Sequence, residues 1–319
     1  MKNVFFVVLM GWATAQAQFA PAAGFPSSTA LHRDSAAWVG WATQCQVQRG
    51  PQDRSQPSLG LAAAGAPSNA TGRSNGSIVS LGDGGTATLT FDHPIKNDSG
   101  PDFAVFENAF SNGFLELALV EVSSDGQRFV RFPAISNTDT SVQVGTFGNV
   151  DPTRLYNLAG KYRASYGTPF DLDELRDSAG IDLHAITHVR LIDAVGSINP
   201  AYGMRDSRGW LINDPWNTPF ATGGFDLDAV GVLHQNRDVG LRRVAAVQGV
   251  FYPNPCRAQL HCTQGLQPSN LLVLDALGRR IAHYNQPQFP LPIADWPNGI
   301  YFLQYTADHQ HYTQRLIKQ

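Results

Sequence analysis

The chain is poor in several things at once. Of its 319 residues only three are cysteine and three methionine, 15% are charged, and the net charge is −3. No basic cluster exceeds the pair Arg242–Arg243, so a phosphate-binding stripe for nucleic acid is excluded. No apolar run reaches the ~20 residues that cross a bilayer, so no transmembrane segment is expected. There is no G-x-S-x-G, no H-E-x-x-H, no phosphate loop and no dinucleotide fingerprint, and the nine histidines lack metal-pair spacing. These gaps remove the enzymes that a motif would reveal. They leave glycoside hydrolysis, which needs only two carboxylates about 5–9 Å apart.

Turn chemistry is what the chain has in quantity. Thirty glycines and twenty prolines accompany 43% hydrophobic residues, a composition suited to short strands and frequent turns. Strand-like stretches cover residues 102–110, 115–123, 128–132, 184–195 and 225–233. Residues 77–81 and 86–91, separated by Asp83-Gly84-Gly85, read as a hairpin. The one helical stretch expected is residues 34–42, capped by Asp34 or Ser35. It would place Trp38 and Trp41 on one face, either packed on the core or as an aromatic platform. The fold class is all-β: a jelly-roll-like β-sandwich followed by a small antiparallel β-sandwich.

The N-terminus reads as an export signal. Lys2 provides the positive charge, residues 4–10 a short apolar core, and Ala15-Gln16-Ala17 a cleavage site. Residues 1–17 are then a signal peptide and 18–25 a lead-in. Residues 26–236 form the working domain, 237–247 a linker and 248–319 a second domain. Cys256 and Cys262 could pair if the chain turns between them, since six extended residues span about 20 Å. Three buried thiols, Cys45 included, is the other reading.

Candidate chemistry gathers around residues 218–233, T-P-F-A-T-G-G-F-D-L-D-A-V-G-V-L, with a partial twin at 168–175, T-P-F-D-L-D-E-L. Alternation in a strand sets Asp226 and Asp228 on one face with Val230, about 7 Å apart, where like charges ask for water, a base or a cation. Calcium, which takes six to eight oxygen ligands, is the cofactor such donors would hold. Asp171, Asp173 and Glu174 of the twin phrase, Glu107 and Asn108, and Asp206 and Asp214 on the long loop 196–224 complete the candidate ligand set. The same loop carries Tyr202, Trp210, Trp216 and Phe220, whose ring faces could stack on a sugar or another flat ligand. Three functions follow: a calcium-supported binding protein, a secreted glycan hydrolase using paired carboxylates, and a structural or adhesion protein.

Two resemblances add to this reading. Tyr252-Pro253-Asn254-Pro255, Leu272-Val273-Leu274-Asp275 with Gly278-Arg279, Asn298-Gly299-Ile300-Tyr301-Phe302 and Lys318 stand in the order and spacing of a tail. That tail resembles the C-terminal sorting domain of type IX (Por) secretion cargo from Bacteroidota. The resemblance implies an Ig-like sandwich recognised by the type IX machinery, delivery to the cell surface, and cleavage with attachment to lipopolysaccharide. Residues 26–236 carry Ser80-Leu81-Gly82, residues 102–110, Val122-Ser123-Ser124-Asp125-Gly126 and residues 223–231. They are similar to a family of bacterial surface proteins, which implies a surface-exposed β-sandwich and a link to uptake of glycans or corrinoids.

Overall fold

A computed structural model describes residues 19–236, 250–263, 268–307 and 310–319. The expected signal peptide and the linker at 237–247 lie outside the described residues. What is described consists of strands and short 3-10 turns, with no α-helix among the described residues. It divides into two compact units at Arg237/Asp238.

In the first unit the strands are, in chain order, β1 (Leu31–His32), β2 (Gly40–Trp41), β3 (Gln44–Gln48), β4 (Val79–Ser80) and β5 (Thr86–Ile95). Then come β6 (Phe103–Glu107), β7 (Ala118–Ser123), β8 (Val130–Arg131), β9 (Ile135–Ser136) and β10 (Leu155–Tyr156). The unit ends with β11 (Tyr166–Phe170), β12 (Ile186–Asp193) and β13 (Asp226–Val232). One sheet runs β1-β11-β6-β13-β2 with β4 also on β13; a second runs β3-β5-β12-β7-β8. Their inner faces share one core that includes Leu89, Phe103, Val105, Val120, Phe170, Val189 and Leu191. Burial of each such side chain contributes roughly 1.5–3 kcal/mol. A second core of Leu115, Leu117, Val150, Leu155, Leu158 and Ile212 lies beneath the long loops.

Strand β6 reads Phe-Ala-Val-Phe-Glu and is buried at every position. Phe103 and Val105 face the main core, whereas Ala104 and Phe106 face outward. The outward pair is covered by Trp38 and Trp41, whose rings lie 5.5 and 5.6 Å from Phe106. The two tryptophans do share a face, but not on a helix: residues 34–42 are turns and the short strand β2, which pairs with β13 at Gly231 and Val232. Cross-strand pairing with β13 outweighed a modest local helix preference.

Two further expectations are corrected. Strands β4 and β5 do not form a hairpin; β4 pairs with β13, and β5 lies between β3 and β12 in the other sheet. The residues between them thus join the two layers rather than two neighbouring strands. Alternation in β13 also breaks. Its ladder with β6 shifts register between Leu227 and Ala229, and the extra residue switches which parity points inward. Phe225 and Leu227 face the main core, and past the bulge Val230 and Val232 do so. Val230 therefore faces away from the side that carries Asp226.

The second unit contains β14 (Phe251–Tyr252), β15 (Gln259–Cys262), β16 (Ser269–Asp275), β17 (Arg280–Tyr284), β18 (Leu291–Pro292), β19 (Gly299–Ala307) and β20 (Gln310–Lys318). They make a three-stranded sheet, β14-β15-β18, and a four-stranded sheet, β17-β16-β19-β20. Phe251, Leu260, Leu271, Val273, Leu303 and Leu316 form its core. Cys256 is buried there with its thiol on the Ile317 carbonyl at 3.3 Å, and no disulfide joins it to Cys262.

Candidate functional site

The loop between β6 and β7, residues 108–117, is rooted on two acids. Glu107 closes β6 at 1% exposure and Glu116 stands just before β7 at 7%. Glu107 Oε2 accepts the Ala109 amide at 2.7 Å, but Oε1 is buried with no hydrogen-bond partner. Among the described residues no hydrogen bond ends on the Glu116 carboxylate. Asp226, the first residue of β13, lies opposite Ser80 and accepts its hydroxyl; the Asn108 side chain bonds it as well.

Burial and then the charge of Asp226 hold the Glu107 carboxyl well above the usual range. Burial and then Glu107 do the same to Glu116. Asp226 is pushed up to about 6 by burial, against the opposing pull of Ser80, Asn108 and Arg49. The string continues through Asp214 and Asp193. Asp214 is raised well above its ordinary value by burial and then by Asp193. Asp193 rises to about 7 through burial and then Asp83, although Gly84 N and Phe225 N donate to it at 2.9 and 2.7 Å. Among the described residues no group of three or more Asp, Glu, His or Cys side chains is placed to hold a metal ion, so any cation here would rest on two carboxylates at most. The donors are all oxygens, which suits a hard cation with carbonyls or water completing its shell.

The other predicted ligands are already committed. Asp228 accepts Ser74 Oγ at 2.5 Å and the amides of Asn75 and Gly76 at 3.1 and 3.2 Å, tying down that loop. Asp206 accepts the amides of Ser136, Arg208 and Trp210 and pairs with the Arg208 guanidinium at 2.8 Å. Asp214 accepts the Leu117 amide at 2.8 Å, anchoring the far end of the 108–117 loop. The twin phrase at 168–175 forms β11 and a 3-10 turn capped by Asp171, while residues 218–224 are turn and bend. The likeness is of letters, not of shape.

The predicted aromatics divide into three. Tyr202 and Trp216 stack at 6.0 Å, and Trp216 Nε1 donates to Asp83 at 2.9 Å. Trp210, 53% exposed, carries the Arg208 guanidinium over its ring at 4.4 Å. Phe220 stacks on Phe147 at 6.1 Å; Phe147 reaches Phe114 at 6.3 Å, and Phe114 stacks on Phe110 at 4.4 Å. Phe110, Phe147 and Phe220 are 73%, 70% and 42% exposed, so three loops present one aromatic ridge. Asn213 and Gln143 fasten these loops: the Asn213 amide donates to Asp139 O and Val142 O, and Gln143 Nε2 to Gly196 O.

Sequence reasoning missed Glu116, Asp193 and Asp83 among the acids, and Phe110, Phe114 and Phe147 among the rings. Glu116 had a signal, a single acid inside the apolar run Phe114-Leu115-Glu116-Leu117-Ala118-Leu119, where an ionised group is costly without a partner. Asp193, within Leu191-Ile192-Asp193-Ala194-Val195, had the same signal.

Comparison with known proteins speaks for the second unit. Residues 250–319 match the family model described as a secretion system C-terminal sorting domain. That stretch is a sorting domain of the Por, or type IX, secretion system, and the protein is cargo of that system, bound for secretion or the cell surface. The match does not reach residues 19–236. No curated protein matches the chain.

Proposed function

We propose that residues 26–236 are a binding domain displayed at the cell surface, with the aromatic ridge as its glycan-binding face and a calcium ion fastening the loop beneath it. One observation carries this reading: the 108–117 loop has a buried carboxylate at each root, Glu107 with one oxygen unpartnered, and the exposed Phe110 near its tip. Glu107 and Asp226, beside the Asn108 side chain that bonds Asp226, would hold the ion, with backbone carbonyls and water completing its shell. The ion would neutralise their repulsion and stiffen the loop; an extracellular site meets enough calcium for modest affinity to suffice. Sugar rings lay apolar faces on aromatic ones, and Phe110, Phe147 and Phe220 offer several along one surface. A secreted hydrolase is less well supported. Glu107 and Asp226 are 1% and 7% exposed, which keeps a glycosidic oxygen out of their reach.

The test has two arms on the full chain. Calcium at about 100 times its dissociation constant should add ~2.7 kcal/mol, or about 5–10 °C, to the melting of the first unit. Glu107→Gln, which removes a buried charge without changing shape, should raise the chelated protein's stability and abolish the calcium increment. An increment unchanged in that variant sinks the cation reading. For the ligand, affinity electrophoresis against a polysaccharide panel, with cyanocobalamin as the corrinoid arm, should show retention by a glycan that Phe147→Ala loses. Retention by none, or equal retention by the variant, rejects the ridge.

A further inference from the structure

Away from the ridge, the first unit has a cavity of about 590 Å³ between its N-terminal segment and the residues flanking β11. This lies within the range of about 300–1,000 Å³ usual for small-molecule sites. One wall is aromatic: Phe19 stacks on Tyr156 at 5.2 Å. Leu31, Pro101 and Pro169 supply apolar surface as well. Two buried polar groups line the cavity with unused capacity. Lys161, 5% exposed, spends one of its three N–H donors on the Leu155 carbonyl at 2.8 Å. Thr168, 3% exposed, has a hydroxyl with no partner at all. Two carboxylates, Asp171 and Glu174, also line it; Glu174 accepts the Asn157 amide at 2.6 Å.

The Lys161 ammonium also lies over the Tyr162 ring at 5.5 Å; buried donors with spare capacity are costly, so an acceptor in the cavity would complete this arrangement. Lysine and threonine together suit an anionic oxygen. The carboxylates suit hydroxyl donors, and the aromatic and proline surfaces suit the C–H face of a ring. We propose that this cavity binds a hexuronic acid, its carboxylate on Lys161 and Thr168 and its hydroxyls on Asp171 and Glu174. The site is separate from the aromatic ridge and does not depend on the reading given to it.

Saturation-transfer NMR and calorimetry on the full chain would test this with D-glucuronate, D-glucose and cyclohexanecarboxylate as probes. Glucuronate should bind, and the other two, which each lack one half of the recognised chemistry, should bind at least about tenfold more weakly. Lys161→Met should reduce glucuronate affinity about tenfold or more while leaving the fold intact, because methionine fills the same space. Should that variant fail to fold, Thr168→Val carries the test, with an expected loss of about threefold to tenfold. The proposal is overturned by no glucuronate binding up to about 10 mM, by equal binding of cyclohexanecarboxylate or glucose, or by full affinity in a folded Lys161→Met or Thr168→Val.

Discussion

The two units solve the same architectural problem and differ in what they bury. Both are antiparallel β-structures around an apolar core. The first buries Asp53, Asp83, Asp102, Glu107, Glu116, Glu121, Asp193, Asp206, Asp214, Asp226 and Asp228; among the described residues of the second, no acid is buried. Some of the first unit's acids are structural. Glu121 is paired with Arg131 and Arg190, and Asp102 holds His234 at 2.8 Å with the amides of Asp98 and Leu172. Glu107, Glu116, Asp193 and Asp214 instead are raised by burial and by neighbouring acids, even though Glu107, Asp193 and Asp214 each accept a backbone amide. A fold that needed only to be stable would not keep like charges out of water. The second unit keeps its core apolar and leaves Tyr252 and Leu277 47% and 79% exposed. The contrast teaches that, among the described residues, buried acids are confined to the first unit.

The strongest way to break this contrast is at Gly196. A side chain there would put its Cβ 1.5 Å from Asp214 Oδ1. Gly196→Ala should therefore destabilise the first unit by about 3 kcal/mol or more, through overpacking against a buried, already repelled carboxylate. Hydrogen exchange read peptide by peptide should show faster exchange in residues 26–236 and no change in 268–307. Equal loosening of both units would mean that they are not energetically separate.

Asp193 sharpens the contrast through pH. Its carboxyl sits at about 7 in the fold against 3.8 ordinarily, chiefly because it is buried. Between those values the native state holds a proton that the unfolded chain has released, so this group's contribution to stability falls as pH rises through the window. The penalty is absent below about 4 and complete above about 7, and it amounts to several kcal/mol at most. The stability difference between the native protein and Asp193→Asn should therefore shift in favour of the asparagine form from pH 5 to pH 8. A difference that stays flat over that range would show that Asp193 is charged throughout or solvated.

Calcium comes next in size. A chelator should lower the melting of the first unit by the ~2.7 kcal/mol that near-saturation supplies and leave the second unit's transition in place. Movement of both would point to bulk ionic effects. The smallest expected effect belongs to the tail. Asp275 accepts the amides of Leu277 and Arg279 at 2.9 Å each and the Arg279 side chain at 2.7 Å, closing the turn between β16 and β17. Asp275→Ala should cost the second unit about 1 kcal/mol in denaturant melts and spare the first.

Much of the tail was legible because its signals are local. Asp275 to Arg279 and Asn298-Gly299 are turn residues acting within a few positions, and the apolar alternation of Leu271, Val273 and Leu303 needs only strand periodicity. In the first unit the strands at β6, β7, β12 and β13 were legible for the same reason. Trp38 and Trp41 were correctly seen as sharing a face, yet the helix that seemed to require it is absent, since β2 is held by β13 rather than by its own propensity. The hairpin expected from Asp83-Gly84-Gly85 failed likewise: a turn signal marks a reversal but does not name the partner strand.

The sequence by itself determined the all-β class, the export-bound tail and the presence of an unusual acid pair in β13, because composition, periodicity and short motifs act at short range. Only the tertiary structure decided what the acids and rings are for. A bulge after Leu227 separated Asp226, which joins Glu107 and Glu116, from Asp228, which is spent on Ser74 to Gly76. Loops far apart in the chain brought Phe110, Phe114, Phe147 and Phe220 into one ridge. The cavity with Lys161 and Thr168 likewise draws on segments near residues 19, 30, 101 and 161–174. Charge repulsion, ring stacking and cavity shape depend on distance in space, and in a sandwich whose strands pair across long stretches of sequence, that distance cannot be read along the chain.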